Sequence, residues 1–404
     1  VIQSLENVLI SKGAEYAPFD VERVHRIYKQ IAPLCGFNGI FGKKCKVIHI
    51  MGTNGKGSTG RFLAMGLAQH KKSVLHFSSP HLFCFRERFY VYKDNYQGNI
   101  DENELECAHQ KLWSIESAQE ASYFEYATFL ALLLAKDYEY LVLEAGVGGE
   151  YDSTSVIEAN VSIFTPISLD HQEMLGESVQ EIALTKLKAM SGQVILAKQR
   201  YEEVIRIGKK IAEQKGLVCE VWQDIHTDER FRNEVQDFTR YCQTHILPPF
   251  LCDNLHTAMC ALDFLGMKFD FNTLNPLSLR GRCERFTHNI VLDVGHNIDG
   301  ARALREYFAE KQVFLVYNSY ADKNIEAILR ELLPIVRKVL LIYTDKTRIC
   351  PKDTLIHILQ TLAISHEDFD IRQMRESEDY LVFGSFSVIE EFLQQYKGMK
   401  CKIN

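Results

Sequence analysis

Apolar and polar positions alternate along this chain in two rhythms that take turns. Short apolar runs of four to six residues read as buried strands: Lys46–Met51, Val74–Ser78, Tyr140–Glu144, Val161–Phe164 and Val194–Ala197. Between them lie stretches with apolar residues every three or four positions, which read as helices. These are Thr59 onward, Glu102–Gln119, Tyr123–Lys136, Glu177–Met190 and Glu202–Gln214. Strand and helix in alternation predict a parallel sheet with helices on both faces. Residues 220–250 lose the rhythm, Ile246–Phe250 marks a break, and a helix is expected over Asn254–Leu265. A second α/β series follows: strand Ile290–Val294, helix 300–310, strand Val313–Tyr317, helix Ile325–Val336 and strand Val339–Tyr343. The expectation is an α/β protein of two domains, 1–284 and 285–404. The first is a P-loop-type ATPase with a parallel sheet and the second a smaller Rossmann-like unit.

Composition changes this picture little. The 404 residues are 46% hydrophobic and 25% charged, ordinary for a globular chain with a large core. A net charge of -7 argues against a general nucleic-acid binder. The one short basic run, Lys43-Lys44-Cys45-Lys46, reads as a solvated turn before the first strand. Eleven scattered cysteines form no C-x-x-C pair, so zinc and thioredoxin-like readings lack support. Buried thiols in a reducing cytoplasm fit that usage. No signal-like start and no apolar run near the ~20 residues of a membrane helix are visible, so no membrane partner is expected.

The candidate chemistry starts at Gly52-Thr53-Asn54-Gly55-Lys56-Gly57-Ser58, between a strand and a helix. Glycines let the backbone curl until several N–H groups face one point, and the helix dipole adds positive charge there. Lys56 supplies a full charge for outer phosphates. The spacing is not that of a standard Walker A loop, because only two residues separate the first glycines and the hydroxyl comes one place late. Such a turn also occurs without a nucleotide, and alone it names no reaction. Four other polar clusters end apolar runs, where ligands bind in open α/β sheets. They are Ser78–His81, Glu144–Gly149, Leu169–His171 and Asp293–Asn297. Ser58, Ser79, Glu144 and His171 together offer hard donors suited to Mg2+, with Mn2+ the alternative because of the histidine. Each has a plain structural role open to it, as a turn, a cap or an ion pair. Lys186 and Lys188 cannot share one helix face, so one is expected to point inward.

The order of these motifs resembles folylpolyglutamate synthase, including the bifunctional dihydrofolate synthase form, in the Mur ligase superfamily. The matching text is Ile48–Ser58, Ser78–Leu82 with Glu87-Arg88, Tyr123–Thr128, Val142–Gly149, Leu169–His171, Lys186, Asn254, Gly281-Arg282 and Asp293–Asn297. The resemblance implies an ATP-dependent ligase that activates a carboxylate as an acyl phosphate and joins L-glutamate to dihydropteroate or a reduced folate. It implies that Gly52–Ser58 hold the triphosphate and that Ser58, Ser79, Glu144 and His171 bind metal. It implies a carbamylated lysine at Lys186, with Lys56 and His171 also catalytic. By the same resemblance Asn254 contacts adenine, Arg282 the phosphates and Asp293 the ribose, and His296 helps close the second domain over the nucleotide. Phe124 and Asp152 would touch the folate substrate, and the chain would be a cytoplasmic monomer. Two stretches depart from the pattern. Glu150–Ser155 stands where Arg-Leu-Asp-Ala-Thr-Asn is common, and Leu187-Lys188-Ala189 where Ala-Gly-Ile is usual. Two rivals remain open: a Mur-type ligase acting on a cell-wall precursor, and a nucleotide-dependent switch without ligation.

Overall fold

A computed structural model describes residues 3–13, 15, 17–35, 37, 45–309, 311–346 and 348–403, without the side chains of 399–403. Lys43 and Lys44 of the basic run, and Glu310 at the end of an expected helix, lie outside the described residues. The chain divides into two compact units, Val1–Leu277 and Ser278–Asn404.

The first unit is built on eight strands: β1 (Lys46–Met51), β2 (Val74–Phe77), β3 (Phe89–Lys93), β4 (Tyr96–Asn99), β5 (Tyr140–Glu144), β6 (Val161–Phe164), β7 (Gln193–Leu196) and β8 (Cys219–Val221). Their order in the sheet is β4-β3-β2-β5-β1-β6-β7-β8. Six strands run parallel, with Ile48 of β1 beside Val142 of β5 and Val161 of β6. Both faces are covered, which is why the strands read as unbroken apolar runs. Val47, Leu75, Leu141 and Leu143 pack on one face beneath the helices Val21–Ile31 and Tyr123–Leu134. Ile48, Ile50, Val142 and Ile163 pack on the other, against the helices Lys56–Gln69 and Pro249–Phe264.

The sheet is not wholly parallel. Strands β2, β3 and β4 pair antiparallel, a hairpin that the alternating rhythm of strand and helix did not predict. Its turn, Asp94-Asn95, has φ of 52° and 64°, a left-handed pair suited to the right-handed twist of the flanking strands. Two further differences are local. The expected helix Glu102–Gln119 stops at Trp113, where the Ser114 hydroxyl turns back to Lys111 O, and resumes as a 3-10 turn at Glu116. The expected helix at Asn254 begins earlier, at Pro249, since proline at the first helical position lacks only an N–H that would be unbonded anyway. Residues Val235–Thr244 also form a helix inside the stretch read as irregular.

The second unit holds β9 (Glu284–Arg285), β10 (Ile290–Asp293), β11 (Val313–Tyr317), β12 (Val336–Leu341), β13 (His366–Asp368) and β14 (Tyr380–Phe383). Their order is β13-β12-β11-β14-β10-β9, parallel except for β9. Val294 N donates to Gly281 O and Cys283 N to Asp293, tying residues 281–283 to this unit. The helix expected over Ile325–Val336 ends at Leu332, and Val336 already opens β12.

Candidate active site

The phosphate-loop sequence forms the turn between β1 and the helix Lys56–Gln69. Gly52 has φ 146°, and a Cβ there would collide with Thr165 Oγ1 and lie 2.9 Å from its carbonyl oxygen. Gly55 caps the helix at φ 87°, with Asn254 Oδ1 2.5 Å from where its Cβ would stand. Only glycine meets both demands, conformation and space. The loop is tied down from below: Thr53 N and Asn54 N donate to Pro166 O, and the Thr53 hydroxyl bridges Ser168. Gly57 and Ser58 lie in the first turn of the helix, with Ser58 buried.

Two lysine nitrogens converge on one oxygen. Lys56 Nζ donates to Gly52 O at 3.3 Å, and Lys186 Nζ donates to the same oxygen at 3.1 Å. Lys186 also reaches Gly148 O at 3.4 Å. Burial lowers the Lys186 pKa to about 7, and the Lys56 charge pushes it the same way, against the opposing pull of Asp170 and Asp152. Gly149 makes this possible, because a Cβ there would lie 2.6 Å from Lys186 Cα. Lys186 points inward while Lys188, two residues on, pairs with Glu150 at 3.2 Å on the outside. The two departures from the family pattern therefore face each other as an ion pair.

Glu144, at the end of β5, is buried, and its carboxylate lies 3.9 Å from Lys56 Nζ and accepts from Ser79 N at 3.3 Å. Ser79 is buried in the loop after β2, where its peptide bond to Pro80 is cis. Glu87 and Arg88 fix that loop. The Glu87 carboxylate accepts from Leu82 N, Phe83 N and Cys84 N. Arg88 is fully buried and donates to His81 Nδ1 and Glu15. His171, at φ 50°, stands at the N-cap of a short helix, and its backbone N–H donates to the Asp170 carboxylate.

Phe124 and Asp152 line one open pocket, together with Phe19, Glu125, Val147 and Tyr151. Phe19 and Tyr151 face each other across 6.3 Å, while Phe124 lies under Gly146. The Asp152 carboxylate accepts from Val147 N, Thr154 N and the Thr154 hydroxyl. Sequence reasoning missed Phe19 and Tyr151 as pocket residues and the anchoring role of Arg88. Tyr151 carried a signal, an aromatic residue beside a glycine-rich turn.

In the second unit Arg282, Asp293 and His296 gather at the carboxyl end of β10. Asp293 is buried and accepts from Cys283 N and Gly295 N, and burial raises its pKa. Arg282 stacks on Phe386 at 5.0 Å. His296 lies 6.2 Å from the Tyr320 ring.

No family model matches the chain. The crystal structure of Helicobacter pylori folylpolyglutamate synthetase does resemble it, with 40% identity, a TM-score of 0.75 and 98% of each chain covered. This chain belongs to the folylpolyglutamate/dihydrofolate synthase family. The Escherichia coli dihydrofolate synthase/folylpolyglutamate synthase agrees, at 30% identity over 313 residues, 72% of this chain and 71% of that protein. A bifunctional synthase of the same family, solved with manganese, AMPPNP and L-glutamate bound, shares the fold at 21% identity, with a TM-score of 0.76 and 98% of each chain covered. Family membership identifies the chain as an ATP-dependent, amide-forming ligase and disposes of the non-ligating switch. No helix among the described residues is long and apolar enough to cross a membrane.

Proposed function

We propose that this protein joins L-glutamate to dihydropteroate, to a reduced folate, or to both, with ATP as the activating substrate. The observation that carries the reading is the pair of lysines on Gly52 O beside the buried Glu144. The Lys56 cation is there to meet an arriving triphosphate, while burial and that same charge keep Lys186 beside it available as a neutral amine. The family's occupants, a nucleotide with manganese and L-glutamate in the structure above, support the same assignment.

A divalent cation fits the donor set. Glu144 supplies a buried carboxylate, Ser58 and Ser79 supply buried hydroxyls, and His171 stands half-buried at a strand-end loop. These are the hard donors that Mg2+ or Mn2+ takes in phosphoryl transfer. When bound, the ion neutralises charge on the transferring phosphoryl group.

The chain's own residues do the rest. Backbone N–H groups of Gly52–Ser58 and Lys56 hold the triphosphate, and Asn254, packed on Gly55, meets the base. Arg282 serves the phosphates, Asp293 the ribose, and His296 the closed form. The pocket of Phe124 and Asp152 takes the acceptor. A carboxylate is a poor electrophile, so its oxygen first takes the γ-phosphoryl group, giving an acyl phosphate and ADP. The free amine of glutamate attacks the acyl carbon, phosphate leaves, and the amide remains. Lys56 and Arg282 offset the charge that develops, the largest usual contribution to such catalysis. Lys186, poised as a neutral amine, attacks CO2 through its nitrogen, releases one N–H proton to solvent and becomes an anionic carbamate beside the metal site. The monomeric state and the cytoplasmic location remain part of the same proposal.

The test is ADP release from ATP that requires both L-glutamate and a pteroate-type acceptor. Dihydropteroate and tetrahydrofolate are compared side by side, with a cell-wall precursor as the Mur-type alternative. Absence of turnover with either folate-type acceptor would refute the reading.

A further inference from the structure

The acceptor pocket's carboxylate has a buried hydrogen-bonded layer behind it. Asp152 Oδ1 accepts from Thr154 N at 2.9 Å and from Thr154 Oγ1 at 2.5 Å, while Oδ2 accepts from Val147 N at 2.9 Å. Thr154 Oγ1 in turn lies 2.8 Å from His49 Nε2, in the middle of β1. All three side chains are buried, Thr154 completely.

The order of donors follows from the chemistry. A carboxylate only accepts, so the single hydroxyl hydrogen of Thr154 points at Asp152. Thr154 Oγ1 must then accept from His49, which fixes the proton of that imidazole on Nε2. Capping the short turn Ser153–Val156 needs one backbone bond to Asp152. The hydroxyl and the imidazole behind it exceed that need. The Thr154 N–H and hydroxyl together use both acceptor positions of Oδ1 and leave Oδ2, which carries one backbone bond, as the oxygen that can take a pocket ligand. Aligned hydrogen bonds in a buried site polarise one another and hold the final acceptor at one angle.

We infer that His49 and Thr154 are positioning residues for the acceptor: the relay His49 Nε2–H to Thr154 Oγ1–H to Asp152 aims the carboxylate at a planar heterocycle that offers N–H donors. The inference rests on the acceptor pocket of the proposed function. The charged neighbours of that pocket, Glu15 and Glu125 on its wall and Lys186 near Asp152, belong to other elements and are not part of the relay.

Steady-state kinetics of the full chain test it, with dihydropteroate or tetrahydrofolate varied at saturating ATP. Thr154→Val keeps the shape and removes the hydroxyl. It should raise the acceptor KM about tenfold, the loss of one bond to a charged group, with the KM for ATP unchanged. Thr154→Ser should restore the parent value, which a packing role for the threonine methyl would not. Should the valine variant fold poorly, the His49 pair decides: His49→Phe should raise the acceptor KM and His49→Gln, which keeps a donor, should not. An acceptor KM unchanged in both Thr154→Val and His49→Phe overturns the relay, as does a parallel rise in the KM for ATP. A parent protein that turns over no folate-type acceptor overturns the functional reading and the relay together.

Discussion

Raising the pH through neutrality should convert Lys186 from an ammonium to an amine, and activity should follow through CO2. Burial and Lys56 bring its pKa from 10.5 down to about 7. At pH 8 a lysine with the ordinary value is neutral in about 0.3% of molecules, whereas Lys186 is neutral in about nine-tenths. Only the neutral amine attacks CO2. Its partners suit that form, because two carbonyl oxygens, of Gly52 and Gly148, take two N–H bonds and leave the lone pair available. Enzyme stripped of CO2 should lose turnover on the order of tenfold or more and recover it with bicarbonate. Recovery should have a midpoint near pH 7, the value to which Lys186 is lowered. Labelled bicarbonate should give a carbamate carbon signal that Lys186→Ala abolishes. The same shift carries a stability signature. Between pH 7 and 10.5 the folded state leaves Lys186 neutral while the unfolded chain protonates it, so stability rises with pH across that window. The full effect is about 4–5 kcal/mol at most, at about 1.4 kcal/mol for each tenfold change in proton affinity. A midpoint near that of an ordinary lysine, together with activity indifferent to CO2, would show this reasoning to be wrong.

Three further outcomes are expected. Gly52→Ala forces a Cβ into Thr165 at φ 146° and should cost about 2–3 kcal/mol in chemical denaturation, with nucleotide binding lost. A change under about 0.5 kcal/mol would contradict the loop geometry. Arg88→Met removes the buried partner of Glu15 and His81 and should destabilise by roughly 3 kcal/mol, while turnover falls as the Ser79 loop loosens. Full turnover in that variant would separate Arg88 from the site. For Glu150 and Lys188, a double-mutant cycle should give a coupling of about 0.2–1 kcal/mol, since both are partly exposed. A coupling well above that would mean the pair is drier than its exposure suggests.

The strand–helix rhythm was legible because parallel strands covered on both faces leave short, unbroken apolar runs. That is why β1, β5 and β6 could be read nearly to the residue. The β3–β4 hairpin escaped because β4 is short and polar, and its turn uses Asp94-Asn95 rather than a glycine. The helix Val235–Thr244 escaped for a different reason: only Phe238, Tyr241 and Cys242 of it are buried, so its apolar stripe is thin. In the site, glycines and charged residues announced themselves by type. The inward turn of Lys186 was readable only as one of two choices, because nothing local distinguishes it from Lys188. What decides is distant in sequence: Gly149 giving room beside Lys186 and Glu150 drawing Lys188 outward. Phe19 comes to the pocket from more than a hundred residues away, and no pattern in one sequence reveals such a contact.

The hairpin has a further consequence, for how copies of this protein behave in a crowded solution. A large sheet that ended on a long apolar strand would offer its unpaired N–H and C=O groups to another chain. Here one rim is the polar four-residue strand Tyr96–Asn99, with Gly98 in it, and the other is the three-residue β8. Both rims are too short to template a neighbour. Extending β4 with β-branched residues should therefore promote self-association without touching the site at all.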